Sequence, residues 1–386
     1  MSYILFDDIE IRLALMPFTL TRPVAQIRLG IFTIAEKWEY YLKQSVFYGT
    51  QSYLEKKYPS LAAPDAIFIN GAVCPTLELF EKIQALKEGQ ALVQGTTTLA
   101  FAGKTIKEKI EYASPLCIIR NCRDIFQKNG AAIREDFKRI QVEKTGHAIS
   151  DKNTIVYNAG NIFLEPGVKI RAAVLNAEDG PIYLGRNAEV QEGALIKGPF
   201  VLGESAVVNM GGKMRGDTTI GPFCKVGGEI SNSVLFGFSN KAHDGFIGNT
   251  VIGEWCNLGA GTNTSNLKNN YGDVSLFSYK TGKLENTGTQ FCGLMMGDHS
   301  KTAINTMLNT GTVVGVCSNI FGSGFPPKFV PSFSWGGAGK FEIFNLEKAL
   351  EIAGKVMARR SVELSDTDKA ILQHISEEAL KAVGKI

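Results

Sequence analysis

The stretch that decides the fold runs from Leu184 to Val226 and reads, in blocks of six, LGRNAE-VQEGAL-IKGPFV-LGESAV-VNMGGK-MRGDTT-IGPFCK-V. Every block opens with an aliphatic residue or methionine. Two positions before each of these openings, after the first, stand Ala188, Ala194, Phe200, Ala206, Gly212, Thr218 and Cys224. A period of six is neither the 3.6 of a helix nor the two of a strand, and it is typical of the hexapeptide repeat of a parallel β-helix. We therefore expect short strands whose aliphatic side chains point into the solenoid.

The same register extends beyond this stretch in both directions. It includes Leu164 and Ile170 upstream, and Ile252, Leu258, Met296, Leu308, Val314 and Ile320 downstream, with Thr302 as the polar exception. Residues 228–251 and 263–295 are too long for hexapeptide corners. They are predicted to be long excursions on one face, where solenoid proteins usually place functional residues.

Composition excludes several classes of function. The 386 residues include 41 Lys and Arg against 38 Asp and Glu, a net charge of +3, so no basic block predicts a nucleic-acid partner. The apolar runs are too short to span a membrane, and the N-terminus lacks the features of a signal peptide. Seven scattered cysteines indicate reduced thiols in a cytoplasmic protein, with neither a disulfide framework nor a metal site.

Four segments follow one another along the chain. Alternating strand and helix signals over residues 1–115 predict an α/β domain, with helices over Ile27–Tyr41 and Leu77–Leu86 and a strand over Ala91–Ala102. Residues 116–150 form a connector with a helix over Asn121–Val142. Residues 151–335 are the β-helix, whose end is predicted in Phe321–Gly337, and residues 336–386 are helical, with Ser365 capping the second helix.

The α/β segment resembles the sugar-phosphate nucleotidyltransferases. Arg12-Leu13 and Met16–Pro23 are similar to the family's Arg-Leu-x-Pro-Leu-Thr stretch, whereas Asp7–Glu10 stands where the family has a Gly-rich phosphate loop. The resemblance makes Arg12, Thr21 and Arg22 the candidates for nucleotide or sugar binding and Mg²⁺ a candidate cofactor of this domain. Either an active nucleotidyltransferase or a reduced domain kept for structure or ligand binding is compatible with these residues.

A candidate catalytic histidine lies in the first predicted excursion. His243 stands beside Lys241 and Asp244, and the chain has only four histidines. A neutral imidazole can take a proton from an amine or a hydroxyl group. The alternative interpretation is a solvated loop histidine without a role.

The residues around His243 resemble the acetyltransferase half of the GlmU-type bifunctional enzymes. The matching segments are Lys241–Gly248, which reads KAHDGFIG, then Cys256–Thr262 and Ser265-Asn266. The order of an α/β domain, a connector and a hexapeptide solenoid is also similar. The resemblance implies a left-handed β-helix, a homotrimer, and conversion of glucosamine-1-phosphate and acetyl-CoA to an N-acetylated product on the route to UDP-N-acetylglucosamine.

The resemblance also implies site residues. His243 matches the general base, Arg215 the arginine that holds the sugar phosphate, and Ala260 a backbone amide at the thioester oxyanion. Asn257 and Asn266 match the asparagines that hold the sugar, and Lys241 or Lys268 is a candidate to supply a positive charge whose family position falls near Ser231. Asp298, His299 and Thr310 are the candidates for the acetyl-CoA end of the site.

The leading prediction is an acetyl-CoA-dependent N-acetyltransferase acting on an amino-sugar phosphate. One alternative is a sugar-1-phosphate nucleotidyltransferase whose β-helix only oligomerises, and another is a non-catalytic protein that binds a sugar nucleotide. A γ-type carbonic anhydrase is a further class, but it needs three histidines around a metal. Because His147 and His374 lie outside the solenoid, a third histidine ligand is missing there.

Overall fold

The chain folds as two units that interleave in sequence. The structure, a computed structural model, describes residues 2–61 and 65–383. One unit comprises Met1–Ile27 and Phe32–Asp124, and the other comprises Arg28–Ile31 and Ile125–Ile386.

The N-terminal part alternates strands and helices. Its strands are β1 (Tyr3–Phe6), β2 (Arg28–Leu29), β3 (Phe32–Thr33), β4 (Phe47–Gly49), β5 (Ile67–Asn70), β6 (Gln90–Gln94), β7 (Thr97–Ala102) and β8 (Glu108–Glu111). Its helices are α1 (Ile9–Ala14), α2 (Ile34–Leu42), α3 (Leu77–Gln84), α4 (Cys122–Gln127) and α5 (Asn129–Glu143), with 3-10 turns at Phe18–Leu20, Val24–Gln26 and Ser52–Leu54. The first unit contains a mixed sheet in the order β4-β1-β5-β7-β6-β8, in which β1 runs parallel to both of its neighbours.

Helix α2 is shorter than the sequence pattern predicts. It begins at Ile34 because Thr33 forms a capping box with Glu36: the Glu36 amide donates to the Thr33 hydroxyl, and the Thr33 amide donates to the Glu36 carboxylate. The predicted single strand over Ala91–Ala102 is instead the hairpin β6–β7, which pairs antiparallel.

The predicted connector helix is two helices. Asn121 caps α4, because its side chain accepts hydrogen bonds from the Arg123 and Asp124 amides. The helix is interrupted at Lys128, and α5 then begins at the fully buried Asn129. The Asn129 side chain accepts from the Gly30 amide at 2.8 Å and donates to the Thr219 hydroxyl at 3.0 Å, so the start of α5 is fixed to the solenoid.

The remaining strands build the solenoid. They are β9 (Ile155–Tyr157), β10 (Ile162–Leu164), β11 (Lys169–Ile170), β12 (Val174–Asn176), β13 (Ile182–Leu184), β14 (Glu189–Val190), β15 (Leu195–Lys197), β16 (Phe200–Leu202), β17 (Val207–Val208), β18 (Lys213–Met214), β19 (Thr218–Ile220), β20 (Lys225–Val226), β21 (Glu229–Ser231), β22 (Val234–Gly237), β23 (Asn240–Lys241), β24 (Phe246–Gly248), β25 (Val251–Glu254), β26 (Asn257–Leu258), β27 (Asn263–Thr264), β28 (Ser275–Ser278), β29 (Lys283–Asn286), β30 (Met295–Met296), β31 (Lys301–Thr302), β32 (Met307–Leu308), β33 (Val313–Val314), β34 (Asn319–Ile320), β35 (Phe329–Val330), β36 (Ser334–Gly336) and β37 (Phe341–Ile343). A 3-10 turn spans Ala159–Asn161, and helices α6 (Leu346–Ala358) and α7 (Asp366–Val383) follow the solenoid.

Successive strands lie on three parallel faces. Face 1 has the order β10-β13-β16-β19-β22-β25-β30-β33-β35, face 2 has β11-β14-β17-β20-β23-β26-β31-β34-β36, and face 3 has β9-β12-β15-β18-β21-β24, with β27 and β32 pairing farther along. Consecutive hexapeptides therefore reach consecutive faces, and the chain returns to a face after about three repeats. Leu184 pairs with Leu202 and Leu202 with Ile220 on face 1, as the six-residue period predicts.

The aliphatic positions of the repeat form one continuous core. The buried cluster includes the block-opening residues Leu184, Val190, Ile196, Leu202, Val208, Met214, Ile220 and Val226, together with Ile252, Leu258, Met296, Leu308, Val314 and Ile320. Thr302 is buried as well, and its hydroxyl bonds to the Thr262 hydroxyl at 2.8 Å. The predicted fold class, an α/β domain followed by a parallel β-helix and C-terminal helices, is confirmed.

The prediction of an excursion is wrong for the first of the two segments. Residues 228–251 continue the coil, with Ile230, Leu235 and Ile247 inside it, because short corners bring the inward positions closer together in sequence than six. The second prediction is confirmed, since residues 263–295 contain the antiparallel hairpin β28–β29. Stacking of Phe277 on Phe329, with ring centroids 3.6 Å apart, holds this hairpin against face 1.

The segment predicted to end the solenoid adds another rung. Strands β35 and β36 still pair in parallel with β33 and β34, and the turn to antiparallel pairing comes at β37. Helix α6 is capped by Asn345, and the predicted cap of α7 is confirmed, since the Asp368 amide donates to the Ser365 hydroxyl.

Candidate functional site

A cavity of about 690 Å³ lies on face 2 of the solenoid. Its floor is a column of residues that open the two-residue strands β20, β23, β26 and β31, namely Lys225, Asn240, Asn257 and Lys301. Because neighbouring residues of a strand point to opposite faces, these side chains point outward while the next residue enters the core. The hexapeptide repeat itself therefore produces the column.

The walls of the cavity are the two corners that flank face 2. Phe238 and Trp255 stack on one side with ring centroids 4.1 Å apart. His243, Ala260 and Ile304 line the other side. The cavity thus has an aromatic wall opposite the predicted general base.

Residues at the C-terminal end of α6 complete the cavity. Arg359 and Arg360 both line it, and Arg360 donates to the Asn240 side chain at 3.0 Å. These arginines come more than a hundred residues after His243 in the sequence. The pattern of the repeat gives no signal that would place them there.

The cavity is strongly basic. Lys225, Lys301, Arg359 and Arg360 line it, and none of its described lining residues is Asp or Glu. Burial lowers the pKa of Lys301, whose ammonium donates to the His299 carbonyl at 2.7 Å. This electrostatic character suits a ligand with phosphate groups.

His243 lies in the corner between β23 and β24. Its side chain is exposed, and it lines the cavity together with Asn257 and Ala260. The Ala260 residue sits in a corner where Gly261 donates to the Asp244 carbonyl at 2.9 Å, so the two corners are joined by a ladder hydrogen bond. Three of the residues predicted from the acetyltransferase resemblance therefore meet in one place.

Lys241 does not have the role that the sequence suggested. Its side chain is 0% exposed and points into the solenoid, where its ammonium donates to the carbonyls of His243 and Asp244. It cannot hold a ligand at the surface from that position. The alternation within the two-residue strand β23 turns Asn240 outward and Lys241 inward.

Arg215 and Asn266 lie at the corners between faces 3 and 1. Arg215 is exposed and forms an ion pair with Glu229 at 3.3 Å. Asn266 donates to the Asn249 side chain at 2.8 Å. Neither residue lines the cavity that contains His243, so a single chain does not bring them to it.

The residues predicted at the acetyl-CoA end are buried. Asp298 accepts a hydrogen bond from the Glu254 amide at 2.9 Å, and His299 stacks beside Trp255 with centroids 6.3 Å apart. Thr310 is 2% exposed. The prediction that these three residues contact a ligand directly is therefore wrong, because the coil turns their side chains away from solvent.

Arg12 also has a structural role in place of the predicted ligand contact. It is 2% exposed, its guanidinium lies 3.8 Å from the Asp7 carboxylate, and it donates to the Tyr53 hydroxyl at 2.8 Å. Thr21 and Arg22 are buried as well. The three candidates therefore do not form an exposed nucleotide site in the first unit.

The end of β1 does not fit a Mg²⁺ site. The Asp7 carboxylate accepts from the Val24 amide and the Thr50 hydroxyl, and burial raises its pKa. Asp8 caps α1 through the Glu10 and Ile11 amides. Both carboxylates are thus committed to internal hydrogen bonds.

The described residues offer no metal site of the usual kind and no membrane-spanning helix. Within residues 2–61 and 65–383, no group of three or more His, Cys, Asp or Glu side chains could hold a metal ion. The seven cysteines are free thiols. No described helix is both long and apolar enough to cross a membrane.

Comparisons with known proteins find similarity to one family model and to two bifunctional proteins. Residues 3–145 match a family model described as sugar nucleotidyl transferase. The chain is 34% identical over 166 residues to the bifunctional sugar-1-phosphate nucleotidylyltransferase/acetyltransferase of Sulfurisphaera tokodaii, covering 42% of this chain and 38% of that protein. It is 31% identical over 87 residues to the bifunctional protein GlmU of Methanocaldococcus jannaschii, covering 22% of this chain and 21% of that protein.

The resemblance to the GlmU-like bifunctional proteins is thereby confirmed, although the chain spans well under half the length of these two relatives. Among solved structures, an Arabidopsis UDP-N-acetylglucosamine acyltransferase is 17% identical, with 54% of this chain and 78% of that chain covered, at a TM-score of 0.23. A likeness at that level carries no information on function.

Proposed function

We propose that the protein is an acetyl-CoA-dependent N-acetyltransferase that acts on an amino-sugar phosphate. The observation that supports this most is the position of His243 on the wall of a basic cavity that also contains Asn257 and Ala260. The similarity to the bifunctional nucleotidylyltransferase/acetyltransferase of Sulfurisphaera tokodaii supports the same reaction class.

In the proposed reaction, the nitrogen of the acceptor amine attacks the thioester carbonyl carbon of acetyl-CoA while His243 takes a proton from that amine. The new C–N bond forms, the C–S bond breaks, and the thiolate of CoA leaves with the proton returned by His243. In this proposal the amide of Ala260 donates to the oxyanion of the tetrahedral intermediate. The products are an N-acetylated sugar phosphate and CoA thiol.

The cations of the cavity would hold the phosphate groups of the two substrates. Arg359 and Arg360 can donate paired hydrogen bonds to phosphate oxygens, while Lys225 and Lys301 act as point charges on the floor. Asn240 and Asn257 offer amide groups to sugar hydroxyls. The aromatic wall of Phe238 and Trp255 suits a flat ring such as adenine.

The test is thiol release from acetyl-CoA with glucosamine-1-phosphate. Replacing His243→Ala should lower turnover about 10²–10⁴-fold, the usual contribution of general-base catalysis. The matched control is His147→Ala, since His147 is an exposed histidine outside the cavity. Unchanged turnover in His243→Ala would remove His243 from the mechanism, and no thiol release by the wild type would refute this acceptor.

A second candidate function is sugar-1-phosphate nucleotidyl transfer by the N-terminal domain. The match of residues 3–145 to the sugar nucleotidyl transferase model favours it. Release of pyrophosphate from a nucleoside triphosphate and a sugar-1-phosphate would establish this activity. If a sugar nucleotide stabilises the protein against unfolding but neither acetyl transfer nor nucleotidyl transfer is observed, a binding protein is favoured instead.

We also propose a cytoplasmic homotrimer assembled through face 3. Apolar side chains are exposed along this face, among them Ile155, Leu195 and Met307. Helix α5 packs on β16 and β19 of face 1, and residues of α6 line the cavity on face 2. Face 3 is therefore the face whose exposed apolar side chains, with Lys213 and Glu229 between them, are left for another copy of the chain.

A further inference from the structure

The corner that holds His243 differs from the regular corners of the coil. One four-residue corner between faces 2 and 3, residues 303–306, closes through the Thr306 hydroxyl, which donates to the Ala303 carbonyl at 2.9 Å. Three others close on themselves because the amide of the fourth residue donates to the carbonyl of the first. This bond joins Ala194 to Gln191 at 3.2 Å, Gly212 to Asn209 at 3.1 Å, and Thr262 to Gly259 at 3.1 Å. In the part of the chain that the structure describes, no such bond closes the corner 242–245.

The neighbouring corner explains part of this difference. Regular corners also donate to the corner of the preceding turn, as Gly211 does to the Glu192 carbonyl at 3.0 Å. The turn before His243 has only Gly227 and Gly228 between β20 and β21. The four residues 242–245 thus stack on a corner of two, which offers fewer carbonyl partners.

The ammonium of Lys241 contacts this corner from inside the coil. Lys241 pairs with Val226 in the parallel ladder and occupies an inward position that is aliphatic in the preceding turns. Its ammonium donates to the His243 carbonyl and, at 2.8 Å, to the Asp244 carbonyl. Two carbonyls of the irregular corner are therefore bound to one interior group.

An aliphatic residue would be the ordinary choice at this position. Burying an ammonium is unfavourable unless hydrogen bonds replace its water shell, and similar-sized apolar residues often serve stability as well or better. The chain has a lysine where the repeat predicts a valine or leucine. This substitution coincides with the corner that contains the proposed general base.

We propose that Lys241 is a positioning residue that holds the corner 242–245, and with it the imidazole of His243, from inside the solenoid. The proposal rests on the proposed function for its catalytic consequence. A general base must lie within hydrogen-bond reach of the proton it removes, so a looser corner lowers the rate of the chemical step. Substrate binding on the floor and under α6 does not involve Lys241.

The test compares the wild type with Lys241→Met, which fills the interior without a donor. We expect kcat for acetyl transfer to fall about 10- to 100-fold while KM for both substrates changes less than about threefold. Amide hydrogen exchange of residues 242–245 should quicken, with exchange in the other corners unchanged. Should Lys241→Met fail to fold, Lys241→Leu, which matches Leu258 in the next turn, takes its place.

The matched control is Ile230→Met, an interior substitution on face 3 outside the cavity, which should leave kcat and corner exchange unchanged. If Lys241→Met retains full kcat while His243→Ala is inactive, the positioning role is overturned and the acetyltransferase proposal survives. If the wild type shows no acetyl transfer, the proposed function fails. The amide exchange of residues 242–245 in Lys241→Met, compared with the wild type, then decides alone whether Lys241 holds the corner. Unchanged exchange there overturns the proposal.

Discussion

Lys241 makes the stability of the solenoid depend on pH. Burial lowers its pKa from 10.5 to about 8, and Asp244 opposes that shift. Between about pH 8 and 10.5 the unfolded chain therefore binds more protons at this residue than the folded chain does. Stability rises with pH across that window, because the cost of the buried charge is fully present below it and is relieved above it.

The prediction is that the wild type gains stability relative to Lys241→Met as pH rises from 8 to 10.5. Urea unfolding of both proteins at a series of pH values measures the difference in their free energies of unfolding. A difference that stays constant over this range would contradict the shifted pKa.

Arg12 gives a second prediction at the scale of one residue. Its guanidinium faces the buried Asp7 carboxylate and bonds to the Tyr53 hydroxyl. Arg12→Met leaves Asp7 without its cation, and removing one partner of a buried pair costs about 3–5 kcal/mol. We expect that loss in the unfolding free energy of the first unit, against less than about 0.5 kcal/mol for the exposed Arg120→Met. Equal effects would show that the pair does not stabilise the domain.

At the scale of elements, α6 belongs to the proposed site. Arg359→Gln and Arg360→Gln should each raise KM for acetyl-CoA about 10- to 150-fold, because a hydrogen bond to a charged group contributes about 1.5–3 kcal/mol. Turnover at saturation should not change, since neither arginine takes part in proton transfer. The control is Lys355→Gln on the same helix, whose ammonium pairs with Glu351 away from the cavity. A KM that is the same in all three variants would exclude α6 from substrate binding.

The same element shows why sequence reasoning found only part of the site. The six-residue period predicts which residues enter the core, and in a two-residue strand the preceding residue must point outward. Lys225 and Lys301 could have been found by that rule. Arg359 and Arg360 could not, because the packing of α6 on face 2 depends on tertiary contacts that leave no periodic signal.

The six-residue period gives a wrong prediction where the corners of the coil change length. Val226, Ile230 and Leu235 are four and five residues apart, so the pattern appears broken although the coil continues. Two glycines between β20 and β21 make this contraction feasible, since each lacks a Cβ that would meet the backbone of the next turn. A strict six-residue template therefore predicts an excursion at 228–251 where the structure has a tight corner.

At the scale of the whole molecule, the open face of the solenoid predicts self-association. The outward side chains Leu195 and Met307 on face 3 are 47% and 41% exposed. Packing them against another copy removes this apolar surface from water, which favours a closed symmetric oligomer. For a trimer we expect a mass in solution of about three times 42.0 kDa.

Introducing charge on face 3 should separate the copies. Leu195→Glu with Met307→Glu places carboxylates in the proposed interface, where burying them without partners is unfavourable, so the mass should fall to that of one chain. The control is Val142→Glu, because Val142 is 88% exposed but lies on α5 and not on face 3. Light scattering coupled to gel filtration measures all three proteins. A wild type that runs as one chain contradicts the trimer, and a trimer that survives both glutamates moves the interface away from face 3.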